Sequence, residues 1–184
     1  MNSEDRRLKI IDILAATDKP LSGTSLADLC KVSRQVIVQD IAILRAENKN
    51  IISTNKGYML YRSDSNKYRE YLLVNHDKEL ILEEFFTIVD HGGTILNVAV
   101  NHDLYGRIEA DLYISNRMDA KAFAEKMKQS KDQPLSFITD QNHFHLIETP
   151  SKEHMDNIRQ ELKKLKILHH EFTIGVKLHT VAAG

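Results

Sequence analysis

The sequence predicts an α+β protein in two parts: a small helical unit that ends in a β-hairpin, followed by a larger α/β sandwich. Three observations predict it. Residues 1–62 carry a net charge of +3, whereas the remainder carries −4 and holds all nine histidines, the first being His76. The polar run Arg62-Ser63-Asp64-Ser65-Asn66-Lys67 contains no apolar residue and separates the two. Helix-period apolar patterns fill the first part, and short apolar runs alternating with amphipathic stretches fill the second. The expected organisation is 1–62, a linker 63–67, a second domain 68–170 and a tail 171–184.

In the first part, a helix is expected from Ser3 to Thr17, opened by an N-cap serine and the acidic Glu4 and Asp5, with Leu8, Ile11, Leu14 and Ala15 on its core face. Pro20 closes it. A short helix from Ser22 to Cys30 keeps Leu26 and Leu29 for the core, and Lys31-Val32 turns into a third helix capped by Ser33. There Ile37, Ile41 and Leu44 recur at i, i+4 and i+7 and face inward, which leaves Arg34, Gln35, Val38, Gln39 and Ala42 as the outward stripe. Next, Ile51-Ile52-Ser53-Thr54 and Tyr58-Met59-Leu60-Tyr61 flank Asn55-Lys56-Gly57, a hairpin or wing with Lys56 at its tip.

This order is a winged helix-turn-helix, and its outward residues suit DNA. Arginine pairs bidentately with guanine and glutamine with adenine in the major groove, and a serine at a helix start holds a phosphate. Ser33, Arg34, Gln35, Gln39 and Lys56 are therefore the expected DNA contacts. The run from Leu21 to Leu60, with its string VSRQ-x-I-x-x-D-I-x-x-L-R and a following KGY, resembles the winged helix-turn-helix of the biotin repressor and its relatives. Where those relatives place a glycine after the third helix, this chain has Asn48-Lys49-Asn50.

Composition narrows the remaining classes. A chain of 184 residues with 42% apolar and 28% charged residues buries a core, which excludes wholesale disorder. With no run of 18 apolar residues and no secretory pattern at its start, neither a membrane span nor a signal peptide is expected, and a cytoplasmic location is. The lone Cys30 sits in an apolar helical pattern and reads as a buried thiol.

In the second part, strands are expected at Tyr71–Asn75, Thr94–Val100, Ile108–Ile114 and His143–Ile147, and helices at Asp77–Asp90, Asp119–Lys128 and Ser151–Leu165. Leu80, Phe85 and Ile88 are apolar positions of the first of these helices, which His91-Gly92-Gly93 ends. His143 and His145 stand at i and i+2 of a strand, so both imidazoles share one face with Phe144 on the other. His76 marks a strand-to-helix junction, and Glu84 lies two turns along that helix, with Glu83 as its rival. Three imidazoles and a carboxylate suit one divalent transition metal per chain, zinc, nickel or iron, and not calcium or magnesium.

The sequence His76-x7-Glu84, Val89-Asp90-x-Gly92-Gly93, Asn101-His102-x-x-Tyr105-Gly106, Pro134-Leu135-Ser136 and His143-x-His145 resembles the three-histidine domain that follows a winged helix-turn-helix in the niacin-responsive repressors of Gram-positive bacteria. Both halves match in order, to about Leu168. The resemblance implies metal ligands at His76, Glu84, His143 and His145, and an effector region at His102 and Tyr105. It also implies a homodimer on palindromic operator DNA, with half-sites about 34 to 36 Å apart or a multiple of that. The chain departs at Asp103, where relatives have proline, and at Gln141-Asn142, where they have glycine.

The expected function is thus a metal-containing repressor of genes for NAD-precursor biosynthesis or uptake, with nicotinate, or a related pyridine carboxylate, as corepressor. It is not expected to be an enzyme. A regulator responding to the metal alone would use the same residues. A metal-dependent hydrolase would leave the DNA reader unexplained, and no general base stands out for it. In the tail, Phe172, Ile174, Val176 and Leu178 alternate as a strand does, and His91, His154, His169, His170 and His179 read as surface or helix-end residues.

Overall fold

The computed structural model describes residues 2–47, 50–62 and 64–174, with the backbone alone over 170–174. Its contacts divide it between Asp64 and Ser65 into two units. The first holds helices α1 (Ser3–Ala15), α2 (Gly23–Cys30) and α3 (Arg34–Ala46) and the hairpin β1 (Ile51–Thr54) and β2 (Gly57–Leu60). Its core is Ile10, Leu14, Leu26, Ile37 and Leu44, all fully or almost fully buried, together with Ala27, Cys30, Ile41 and Ile51. Each large aliphatic side chain so buried stabilises by roughly 1.5–3 kcal/mol.

Details depart from the sequence expectation where two apolar stripes compete. The cap of α1 is Asn2, whose side chain accepts from the Asp5 amide, and the helix stops at Ala15 instead of Thr17. The core stripe of α1 runs through Ile10 and Leu14, while Leu8 is exposed. In α2, Ala27 and Cys30 take the inward places and Leu29 is half exposed. Lys31 makes the turn into α3 in a left-handed conformation, and Ser33 caps α3 by accepting from the Val36 amide. Asp40, on the inner side of α3, is clamped by Arg6 of α1 through Nε at 2.6 Å and Nη2 at 3.2 Å. Asn48, Lys49 and Ser63, parts of the expected helix stop and linker, lie outside the described residues.

The hairpin is pinned to the α1–α2 loop. Leu21 and Tyr58 exchange two backbone hydrogen bonds, each 2.8 Å, and Gly57 has φ of 135° directly against the Leu21 carbonyl. A methyl group at Gly57 would be driven into that carbonyl and would occupy a conformation unfavourable to L-residues. Gly57→Ala is therefore expected to destabilise the unit by about 1 to 3 kcal/mol, read as a lower urea midpoint for the N-terminal transition.

The second unit is a two-layer sandwich. Strands β3 (Tyr68–Asn75), β4 (Thr94–His102), β5 (Gly106–Ile114), β6 (Asn142–Thr149) and β7 (Leu168–Ile174) form one antiparallel sheet in the order β5-β4-β6-β3-β7. Helices α4 (Ile81–Asp90), α5 (Arg117–Gln129) and α6 (Lys152–Lys164) meet one face of it. There Leu72, Val74, Ile95, Ile114 and Ile147 pack against Phe85, Ile88, Met155, Ile158 and Leu162. A side chain at Gly93 would press on Ile88 and Ile158, and Gly92 holds φ of 82°, which together explain the paired glycines after α4. A smaller cluster of Leu73, Ala99 and Phe144 lies apart from this core.

Two buried carboxylates carry ion pairs, one between sheet and helix and one at the β3–β6 side of the sheet. Glu70 is paired with Arg159 of α6, and Glu148 with Lys67 at 2.8 Å and Arg69 at 2.6 Å. The expected start of α4 at Asp77 is replaced by a separate 3-10 turn, Lys78–Leu80, whose Leu80 is partly exposed instead of buried. β7 runs on through residue 174, so a border at 170 falls inside a strand, and Val176, Leu178 and His179 of the tail lie outside the described residues. Among the described residues, no helix is long and apolar enough to cross a membrane.

Candidate metal centre

Ile81, Phe85 and Ile88 form the inward face of α4, and Glu84, three residues after Ile81 and four before Ile88, points inward with them and is fully buried, while Glu83 is exposed. On β6, alternation sends His143 and His145 to the side facing α4 and Phe144 to the other. His76, just past β3, completes the group. Its Nε2 lies 2.9 Å from Glu84 Oε2, His143 Nε2 lies 3.9 Å from the same oxygen, and His145 Nε2 lies 3.6 Å from Oε1. Single donor atoms of His76, Glu84 and His143 are all within 4.8 Å of one another. His76 and His145 each flank His143 edge-on, with ring centroids 4.9 Å away.

Each imidazole is aimed by a main-chain carbonyl. His76 Nδ1 is 2.9 Å from the Asp77 oxygen, His143 Nδ1 is 2.8 Å from that of Gln141, and His145 Nδ1 is 2.8 Å from that of Asn97. A carbonyl only accepts, so all three rings carry hydrogen on Nδ1 and turn Nε2 toward Glu84. That is how metal-ligating histidines are oriented by their outer partners. Gln141 and Asp140 hold left-handed conformations, φ 68° and 48°, the region that otherwise favours glycine.

A test of fit is available in the chain itself. Glu84 Oε1 is buried and has no hydrogen-bond partner, a state that costs free energy unless an electropositive group is supplied. Three imidazole nitrogens gathered around that carboxylate fit a divalent transition metal. Burial alone pushes the Glu84 carboxyl up, but the three imidazoles around it outweigh that and hold the group well below the usual carboxylate range. Burial lowers the His76 imidazole, yet Glu84 and the Asp77 carbonyl raise it above its ordinary value.

Three members of the cluster, Glu84, His143 and His145, face a cavity of about 240 Å³. Phe85, Val98 and Leu112 line it beside Glu84, His143 and His145. Phe123 and Met127 of α5 and Pro134-Leu135-Ser136 complete the wall, with the charged Lys126 and Asp132 also in its lining. This size lies near the small end of ligand pockets and suits a single-ring molecule.

The other expected residues stand elsewhere. His102 and Tyr105 sit on the β4–β5 turn, with ring centroids 5.0 Å apart, and neither lines the cavity. His102 is held in the turn by accepting from the Leu104 and Tyr105 amides, and Tyr105 is 73% exposed. Ser33, Arg34, Gln35, Gln39 and Lys56 are all exposed, with the Arg34 stem lying along Gly23 near Tyr58. His91 and His154 bond at helix ends, His169 is exposed, and the His170 side chain lies outside the described residues.

A helix-turn-helix with an outward polar stripe, joined to a sandwich that encloses three histidines and a glutamate, defines a two-unit regulator-type architecture. Residues 6–59 match the HTH domain family and residues 69–171 match the 3H domain family. The chain is 39% identical over 168 residues to the probable transcription repressor NiaR of Thermotoga maritima, covering 91% of this chain and 95% of that one. It is 33% identical over 167 residues to the transcription repressor NadR of Bacillus subtilis, covering 89% and 93%. The chain belongs to this family of 3H-domain proteins with an N-terminal helix-turn-helix.

Proposed function

We propose that this protein is a DNA-binding transcription repressor that contains a divalent transition metal at His76, Glu84, His143 and His145 and takes nicotinate as corepressor. By this reading it controls genes of NAD-precursor biosynthesis or uptake, acts as a homodimer on a palindromic operator, and is not an enzyme. The observation that carries the metal part is the convergence of three carbonyl-aimed imidazoles on a buried carboxylate with an unpartnered oxygen. The names of the two relatives support the repressor part.

When bound, the metal supplies an open Lewis-acidic position for the carboxylate or ring nitrogen of a pyridine carboxylate. The chain supplies the rest: Phe85, Phe123 and Met127 cover the ring, Lys126 offers a positive charge at the cavity, and Ser136 offers a hydroxyl. Exclusion of water by these apolar walls strengthens each polar contact inside.

Operator binding measured with metal-free and metal-loaded protein, each with and without nicotinate, tests the proposal. A gain of about 5- to 150-fold in operator affinity that needs both is the expected result. A gain from metal alone, unaltered by nicotinate, would replace it with the metal-responsive reading. The same titration on His102→Ala decides between the two candidate effector positions, since only a contact at the turn makes the nicotinate response depend on it.

Metal uptake should also release protons. In the metal-free chain the His76–Glu84 pair is charged between the depressed Glu84 value and the raised His76 value. Its stabilisation is therefore lost as pH falls through the first or rises through the second. Metal displaces the His76 proton, so affinity is expected to fall by about tenfold per pH unit below the raised His76 value. Calorimetric titrations in buffers of different ionisation heat measure that release.

A further inference from the structure

Two of the three carbonyls that aim the histidines are local, belonging to residues one and two positions from the ring they hold. The third is not: His145 is aimed by Asn97, 48 residues away on β4. A regular ladder has no carbonyl to spare there, because each points at the neighbouring strand. β4 solves this with an irregularity between Ile95 and Asn97 that shifts the register toward both β5 and β6. A bulge of this kind leaves a main-chain group unpaired and re-aims what is near it.

At Asn97 the side chain replaces what the backbone gives up. The Leu146 amide, which across a regular ladder would meet a main-chain carbonyl, donates to Asn97 Oδ1 at 3.1 Å, while the Asn97 carbonyl accepts from His145 Nδ1 at 2.8 Å. The Asn97 carboxamide nitrogen is in turn held by the Tyr71 hydroxyl and by Glu109 Oε1, each at 3.3 Å. The residue is 6% exposed, a polar side chain within the apolar run Thr94–Val100. It needs an acceptor for Leu146 and a donor for Glu109 at once, which a carboxamide provides.

We propose that Asn97 is a positioning residue of the metal centre: its side chain holds the bulge open so that its carbonyl fixes His145 as the Nδ1–H tautomer with Nε2 toward Glu84. The proposal rests on the metal reading above. Outer partners of metal-binding histidines change affinity by about 10- to 100-fold. Asn97→Ala is expected to lower zinc and nickel affinity by that factor, and to shift the visible absorption of the cobalt-loaded protein, with unchanged far-ultraviolet circular dichroism. The double variant N97D/E109Q keeps an acceptor for Leu146 and exchanges donor with acceptor at the Glu109 contact, so it should recover both affinity and spectrum.

Wild-type affinity and cobalt spectrum in a folded Asn97→Ala would overturn the proposal. So would a ¹⁵N imidazole spectrum of the metal-free wild type showing His145 as the Nε2–H tautomer, a measurement that needs no variant to fold. His145→Ala separates the two levels: if it loses metal and Asn97→Ala does not, this inference alone fails. If His145→Ala retains metal, the metal centre itself fails and the inference with it.

Discussion

Alanine at His145, or glutamine at Glu84, should reduce divalent-metal affinity by roughly 70- to 1,000-fold. Structural metal sites with four protein ligands bind with about 10–16 kcal/mol, so one ligand of four accounts for about 2.5–4 kcal/mol, which is that range of affinity. The loss from Glu84→Gln follows from its place: it is the sole carboxylate among the three imidazoles, fully buried, with one oxygen left for an electropositive partner. Glu83→Gln and His169→Ala alter exposed side chains and should leave metal content unchanged. Elemental analysis of the purified variants measures this directly. Equal metal in wild type and in the His143, His145 and Glu84 variants would remove the centre. A metal-depleted variant should still fold and bind operator weakly, but without the nicotinate-dependent gain.

The second large effect belongs to α3. Replacing both Arg34 and Gln39 by alanine is expected to weaken specific operator binding by about 2 to 6 kcal/mol, from about 1 to 3 for each base contact. Both are exposed, Gln39 on the side of α3 away from Ile37, Ile41 and Leu44 and Arg34 in the first turn with its stem along Gly23, so their loss leaves the buried core residues intact. Fluorescence anisotropy with specific and scrambled duplexes separates the outcomes. A base-reading pair loses affinity for the operator far more than for the scrambled duplex. Lys56→Ala, at the hairpin tip, should weaken both equally and reduce the salt slope by about 1. Unchanged footprints for the double variant would remove α3 as the reading element.

How much of this was legible in the sequence depended on the range of the interaction concerned. The inward face of α3 was, because Ile37, Ile41 and Leu44 are spaced for one stripe and nothing competes with them. In α1, Leu8 and Ile10 both fit apolar stripes, and only packing against α2 and α3 selects Ile10. The His-x-His pair was readable from strand alternation alone, whereas the choice of Glu84 over Glu83 depends on the phase of α4, which the packing of Ile81, Phe85 and Ile88 fixes. Partners far apart in sequence were not readable at all. Asp40 finds Arg6 34 residues away, and Glu70 finds Arg159 at a separation of 89. Asn97 gave one signal that went unused: a carboxamide inside an apolar strand must have partners, and those partners were Leu146, Tyr71 and Glu109.

The last strand has a consequence for how the protein avoids its own copies. β7 covers the open side of β3, whose Tyr71-Leu72-Leu73-Val74 stretch would otherwise offer a bare row of amides and carbonyls flanked by apolar side chains. Such a row is a template onto which any extended segment adds. The opposite border of the sheet is guarded by different means, since β5 carries Arg107, Glu109 and Asp111 and is interrupted by Tyr113 in a left-handed conformation. One rim is thus made unattractive by charge and irregularity, while at the other the apolar β3 is moved inside the sheet and β7 takes its place as the border strand. A chain shortened before Leu168 would keep every metal ligand and the whole helix-turn-helix, yet is expected to associate through the exposed border of β3.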